Sequence, residues 1–138
     1  MEITIHSVIE ELNDAGLCLG EPEINITTLP ATVEMRGADR VIRYSEEQEG
    51  VRIESEIVLS SDGSVSMMRR GGIEWCVRFA EGEEHTSLYR VPPYSFDCSV
   101  ATKRVTVTEE GEALRIRLVY TMELGGGKKE VKMRIGVK

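Results

Sequence analysis

The clearest pattern in the chain is a long alternation of apolar and polar residues near its C-terminal end. In residues 112–124 every second side chain is apolar, and arginine, valine, threonine and glutamate occupy the places between. Successive side chains of a β-strand point to opposite faces, so this period of two predicts a strand with one buried and one solvated face. The apolar face carries Leu114, Ile116, Leu118, Tyr120, Met122 and Leu124.

The same alternation recurs along the rest of the chain, and turn sequences interrupt it at regular intervals. These are Ser61-Asp62-Gly63-Ser64, Gly71-Gly72, Glu81-Gly82-Glu83-Glu84, Glu109-Glu110-Gly111 and Gly125-Gly126-Gly127. Asp-Gly and Gly-Gly pairs suit tight hairpins, because the central residues of such turns need a positive φ. The pattern therefore predicts an all-β chain of about ten strands joined by short turns.

Two places in the N-terminal part depart from this regularity. Pro30 is expected to bend or end the second strand, because proline cannot donate a hydrogen bond to a neighbouring strand. Residues 7–12 come nearest to helical periodicity, so the pattern allows a short helix or a turn there. A bend is also expected within residues 95–107.

Short turns join sequential strands into antiparallel pairs, which predicts a meander topology. Two architectures would cover the apolar faces: a sandwich of two sheets, or one sheet closed into a barrel. Sandwiches usually need long crossing connections, and none follows Gly50. Closure also removes the exposed edges of long strands. An antiparallel meander β-barrel of about 8–10 strands, forming one domain over residues 1–138, is therefore favoured.

Composition and charge limit the classes of partner. The chain has 17 basic and 24 acidic residues, for a net charge of −7. Its Lys and Arg are spread along the sequence, so we expect no nucleic-acid partner. No apolar run approaches the ~20 residues of a membrane span, and no secretory signal begins the chain. The three cysteines, Cys18, Cys76 and Cys98, show no CxxC spacing, which argues against a disulfide framework or a metal site. We expect a cytoplasmic monomer or homodimer without a cofactor.

Residues 67–102 contain a set of residues whose order and spacing are distinctive: Arg69, Gly71, Phe79, Gly82, His85, Tyr89, Pro92 and Thr102. This stretch resembles the YwiB-like family of bacterial domains of unknown function, which have a calycin-type, lipocalin-like β-barrel. The resemblance covers nearly the whole chain and departs from the family at Pro93-Tyr94-Ser95, which stands where the family has a glycine after the proline. It implies a barrel and a bacterial cytoplasmic setting, but it implies no activity and transfers no site residues.

Strand parity identifies polar side chains that share the apolar faces and so are expected inside the barrel. An interior arginine among phenols suits a carboxylate or a similar head group, because guanidinium binds oxyanions with two parallel hydrogen bonds. The alternative is that Arg69, close to the Gly71-Gly72 turn, lies at the rim in water. The candidate ligand-binding residues are Arg69, Tyr89, Tyr120, Tyr44, His85 and Thr102.

Other groupings are predicted to be structural. Cys98 and Asp97 are adjacent, so they point to opposite faces of a strand and cannot both face His85. A buried, inert thiol is therefore predicted at Cys98. Glu46-Glu47-Gln48-Glu49 is predicted to be a solvated hairpin tip, and Trp75 is predicted to belong to the core.

These observations favour a binding module, not an enzyme, which holds a small amphipathic or anionic ligand in or at the mouth of the barrel. The alternative is a structural or protein-interaction domain whose interior is filled by side chains. A hydrolase would need a convergent acid–base pair in a cleft, and the sequence identifies no such pair.

Overall fold

The computed structural model describes residues 1–138 and contains ten β-strands and no helix, hence none that could cross a membrane. Every pairing between strands is antiparallel, which confirms the predicted all-β meander. The strands are β1 Glu2–Leu12, β2 Cys18–Arg36, β3 Asp39–Gln48, β4 Val51–Leu59, β5 Val65–Gly71, β6 Trp75–Phe79, β7 Glu84–Val91, β8 Tyr94–Glu110, β9 Ala113–Leu124 and β10 Gly127–Val137.

The first and last strands lie side by side, and this pairing turns a linear meander into a nearly closed wall. The order of strands is β6-β5-β4-β3-β2-β1-β10-β9-β8-β7. Strand β1 pairs with β10 along its length, from Ile3 opposite Val137 to Leu12 opposite Lys128. The remaining gap lies between β6 and β7. The barrel prediction is therefore confirmed.

The gap between β6 and β7 is closed by a single pair of residues. Glu74 and Arg90 exchange two backbone hydrogen bonds of 2.8 and 2.9 Å, and their side chains form an ion pair at 3.4 Å. On the inner side the rings of Trp75 and Tyr89 pack with centroids 5.5 Å apart. The wall is therefore weakest along this seam.

Strand β2 changes partner at Pro30. Residues 18–30 pair with β1, and Ala31–Arg36 pair with β3, beginning with Ala31 opposite Tyr44. Of the two outcomes expected at Pro30, a bend or an end, the end is wrong, because β2 continues to Arg36; the proline lies where β2 leaves one neighbour and joins the next. Residues 45–48 of β3 have no partner on β2, so the two strands part there and leave an opening into the barrel.

The short helix that the pattern left open at residues 7–12 does not form. These residues continue β1, and they are paired on one side with β10 and on the other with β2. Two ladders satisfy the backbone more completely than one short helical turn, so tertiary pairing overrides the weak local preference.

The bend expected within residues 95–107 is a β-bulge in β8. The pairing with β9 shifts register between Thr102 and Arg104, which leaves Lys103 as an extra residue. A bulge bends its strand and reverses which residues face inward. Before it Val100 and Thr102 are inside, and after it Arg104 and Thr106 face outward.

The core fills only one end of the barrel. In a meander, alternate turns lie at the same end, so one end holds the termini and the turns after β2, β4, β6 and β8. We call this the terminal end and the other the open end. Arg40 of β3 and Glu109 of β8 form an ion pair across the terminal end at 2.7 Å. The large side chains packed there include Ile3, Ile42, Ile57, Val65, Phe79, Ile116, Ile135 and Val137.

Gly71, at the end of β5, is the glycine whose replacement should disturb the wall most. Its φ is +102°, and an added Cβ would lie 2.2 Å from the backbone oxygen of Arg52. We expect Gly71→Ala to lower the free energy of unfolding by about 2–4 kcal/mol, from the left-handed conformation and the overlap together. Urea denaturation followed by circular dichroism measures this change.

Gly82→Ala is the matched control, because Gly82 has a φ of +75° and open space around the added Cβ. It should lose only the conformational part, about 1–2 kcal/mol. Equal losses in the two variants would show that the close approach at Gly71 is not a constraint.

Candidate functional site

A cavity of about 550 Å³ occupies the open end of the barrel. Its size lies within the range of small-molecule pockets, about 300–1,000 Å³. Twelve of the 20 residues that line it are hydrophobic, a count that includes Tyr44, Tyr89 and Tyr120, so the wall combines apolar side chains with a substantial set of polar and charged groups. The apolar lining includes Ile5, Ile9, Met67, Trp75, Met122 and Met133.

One cross-strand row carries much of the polar part of this cavity. Tyr44 of β3 lies opposite Ser55 of β4, Ser55 opposite Arg69 of β5, and Arg69 opposite Trp75 of β6. Residues directly opposite in an antiparallel sheet point to the same face. The alternation of the four strands therefore brings these side chains together on the inner side of the wall.

The guanidinium of Arg69 is held by a carboxylate inside the barrel. Its Nη2 donates to Oε1 of Glu46 at 2.8 Å, and each of the two side chains is only 19% exposed. The alternative that Arg69 lies in water at the rim is therefore wrong. The ion pair spans β4, which lies between β3 and β5. Glu46 follows Tyr44 by two residues, so both side chains lie on the same face of β3.

Several polar atoms of this region are buried without a hydrogen-bond partner. The Nε of Arg69 is one of them, Trp75 Nε1 faces only the weakly accepting sulfur of Cys98, and the hydroxyl of Ser55 has only the neighbouring Tyr44 hydroxyl beside it. An N–H of arginine or indole can only donate. Since buried donors are normally paired, these groups leave unfilled hydrogen-bonding capacity in the wall of the cavity.

The three tyrosines of the site stay neutral. Tyr44 and Tyr120 are buried, Tyr89 is half-buried, and burial raises the pKa of each hydroxyl. The nearby charge of Arg69 opposes this rise in all three. Tyr120 also packs against Phe79, with ring centroids 4.7 Å apart, at the boundary between the cavity and the filled terminal end.

The structure divides the predicted site residues into two groups. The first group, Arg69, Tyr44, Tyr89 and Tyr120, lines the cavity. His85 and Thr102 are not part of its lining. Their Nδ1 and Oγ1 atoms are nevertheless buried without partners. His85 lies beyond Ser87 and Tyr89 along β7, towards the terminal end, and Thr102 lies opposite Tyr120 on β9.

Glu46 is the site residue that the sequence analysis missed. The prediction that its whole segment forms a solvated tip is wrong, because Glu46 faces inward and is largely buried, whereas Glu47 and Glu49 are exposed. The signal was present in the alternation, since Glu46 follows Ile42 and Tyr44 at a spacing of two. The number of charged residues in the segment concealed it.

The remaining structural predictions agree with the coordinates. Cys98 is fully buried and Asp97 is exposed on the opposite face of β8. Burial raises the pKa of the Cys98 thiol, which keeps it protonated and unreactive. Cys18 and Cys76 are free thiols. Trp75 is buried in the core, and it also forms part of the cavity wall.

The fold and the cavity together define a ten-stranded antiparallel barrel with a filled end and an open end. A family model described as a domain of unknown function, DUF1934, matches residues 19–135, and the chain belongs to that family. The crystal structure of the ywiB protein from Bacillus subtilis superposes with a TM-score of 0.76 at 20% identity, over 97% of this chain and 89% of that chain. The predicted YwiB-like resemblance is confirmed. A search of curated proteins found no match.

The ion pair inside the barrel generates a first prediction for the site. Glu46→Gln leaves the Arg69 charge buried without a counter-charge, so we expect the free energy of unfolding to fall by about 1.5–3 kcal/mol. Glu83→Gln is the matched control, because Glu83 pairs with Arg78 at 2.7 Å on the exposed surface. It should lose less than about 1 kcal/mol. Equal losses would show that Arg69 does not depend on Glu46.

Alkaline pH generates a second prediction. Burial raises the pKa of Tyr120 above the value of about 10 that a tyrosine has in the unfolded chain. The stability that neutral Tyr120 contributes is therefore complete below about pH 10 and is lost as the pH rises above that value. We expect the loss to approach about 1.4 kcal/mol per pH unit for Tyr120. Thermal unfolding from pH 9 to 12 should show a shallower decline for Tyr120→Phe than for Tyr94→Phe, which alters an exposed ring. Identical declines would contradict the burial of a neutral Tyr120.

Proposed function

We propose that the protein is a non-catalytic binding module that holds one small amphipathic molecule in the cavity at the open end. The observation that carries this proposal is the buried, unpaired Nε of Arg69 in the wall of a cavity that combines apolar side chains with polar and charged ones. Leaving such a donor unpaired costs about 1–3 kcal/mol, so a ligand that accepts its hydrogen bond would gain correspondingly.

The charge of the cavity indicates the head group. Glu23 and Glu46 balance Arg69 and Lys129 among the lining residues. A free carboxylate would have to compete with Glu46 for Arg69, whereas a carbonyl or hydroxyl oxygen can accept from Nε without adding charge. We therefore propose a ligand whose head is a neutral hydrogen-bond acceptor.

The apolar lining indicates the rest of the ligand. Methionine is unbranched and adapts to irregular shapes, and Met67, Met122 and Met133 are placed where a chain or ring would lie. Each buried methylene contributes about 0.8 kcal/mol. A short aliphatic segment would thus supply most of the affinity, and the polar row would set its orientation.

The proposed ligand-contacting residues are Arg69, Tyr44, Tyr89 and Tyr120. His85 and Thr102 supply unpaired groups just beyond the cavity, where an extended ligand would reach them. Barrels of the calycin type commonly hold one small ligand in their centre, which supports the assignment. Because fold alone does not determine function, the proposal rests on the cavity. The proposal includes a cytoplasmic setting, since the cysteines are free thiols.

Trp75 makes this proposal directly measurable, because it is the single tryptophan of the chain and lines the cavity. We would titrate the protein with methyl decanoate, decanoate and decylammonium, following Trp75 fluorescence and confirming affinity by calorimetry. The ester should bind tightest and the ammonium weakest, because the unpaired Nε–H needs an acceptor.

Matched double variants test the role of the polar row. Arg69→Met with Glu46→Gln removes the donor without leaving a charge unpaired, and should weaken the binding of methyl decanoate about tenfold. Arg78→Met with Glu83→Gln removes an exposed ion pair and should leave the affinity unchanged. No saturable change in Trp75 fluorescence, or equal binding of the ammonium, would overturn the proposal in favour of a structural domain.

A further inference from the structure

The outer wall formed by β8, β9, β10 and β1 carries a cluster of cations that lies apart from the cavity. Its central row runs across the four strands, with Thr106 opposite Arg117, Arg117 opposite Arg134, and Arg134 opposite His6. These side chains point outward because the neighbours on each side of Arg117, Ile116 and Leu118, are buried. Four strands thus place two arginines side by side on the surface.

A second row beside the first contains a gap. Thr108 lies opposite Arg115, Arg115 opposite Gly136, and Gly136 opposite Thr4. Gly136 has no side chain, and a Cβ added to it would meet nothing within 4 Å. The gap forms the floor of an open groove of about 570 Å³, with Arg115, Arg117 and Arg134 in its lining. We call it the basic groove.

Most of the cations in and beside these two rows lack the ion pairs found elsewhere on the protein. A third row adds Arg104 and Lys132. The three rows hold five Lys and Arg residues and no carboxylate, and among these five only Arg115 has an ion pair, at 3.7 Å with Glu110. On the opposite wall, by contrast, Glu56 alone pairs with three arginines, at 3.0, 3.6 and 3.7 Å.

This arrangement is unfavourable in the free protein. Like charges directly opposite each other on neighbouring strands are destabilising, and Arg117 is directly opposite Arg134. The Arg134 Nη2 also donates to Nδ1 of His6 at 2.7 Å, which fixes one guanidinium beside the gap. An anion seated in the groove would offset the repulsion and meet guanidinium groups already in place.

We propose that the basic groove binds a small molecule that carries two or more phosphate groups. Alternate residues of a strand are about 6.6 Å apart and adjacent strands are about 4.8 Å apart, so the backbone spaces Arg115, Arg117 and Arg134 over more than the width of one phosphate. Threonine hydroxyls on both sides, at Thr4, Thr106 and Thr108, add hydrogen-bond donors. The rows contain no Phe, Tyr or Trp on which bases could stack, which disfavours single-stranded nucleic acid.

Calorimetric titration of the full chain with tripolyphosphate tests the proposal, with orthophosphate and a short RNA duplex as comparisons. Tripolyphosphate should bind with saturation and more tightly than orthophosphate. Arg117→Gln with Arg134→Gln should weaken it at least about tenfold, since two charge-assisted contacts are lost. Gly136→Val places a side chain on the floor of the groove, where an added Cβ meets nothing within 4 Å, and leaves the charge unchanged, so it should weaken binding comparably.

The control is Arg52→Gln with Arg78→Gln, which makes the same change in net charge at exposed arginines outside the groove. The affinity of this control variant for tripolyphosphate should stay within about twofold of that of the unchanged protein, as expected for charges beyond the screening distance. An equal loss in this control, retained binding in Gly136→Val, or binding of the duplex but not of tripolyphosphate would each overturn the proposal. Because the groove lies outside the barrel, these outcomes do not depend on the cavity.

Discussion

The pairing of β1 with β10 is the interaction on which the rest of the structure depends. The other neighbours along the wall are consecutive strands joined by short turns, but this ladder brings together the two ends of the sequence. Bringing together residues of that separation costs more loop-closure entropy than any other pairing in the sheet, and the ladder is compatible only with a curled sheet. Without them the strands would form an open sheet with two exposed edges and an uncovered apolar face.

The curled wall explains why the interior is filled at one end and hollow at the other. At the terminal end the branched side chains and Phe79 meet across the centre. At the open end β2 and β3 part beyond Ala31, and the inner positions carry polar or flexible side chains instead. The ion pair of Arg69 with Glu46 belongs to this end. A charge pair so little exposed is by itself weak evidence for stability.

Local pattern was sufficient to predict which residues share a face, because alternation is a property of each strand alone. It predicts Arg69, Tyr44 and Tyr120 inside the barrel, and all three lie there. It could not predict partners. At Pro30 the pattern predicts a bend or an end of the strand, but not the change of neighbour, because that change depends on β3, which comes later in the chain. The pattern also predicts that Glu46 is solvated, because the counter-charge of Glu46 lies on a strand two positions further round the wall.

Amide hydrogen exchange, read residue by residue, tests the closed wall most directly. Amides of β1 and β10 that bond across their shared ladder should exchange only through global unfolding, at the slowest rates in the protein. Amides next to the Glu74–Arg90 pair, and those of residues 45–48 that face the opening, should exchange faster through local separation. Faster exchange in the β1–β10 ladder than at the β6–β7 seam would contradict the account, because the barrel would then open between its terminal strands.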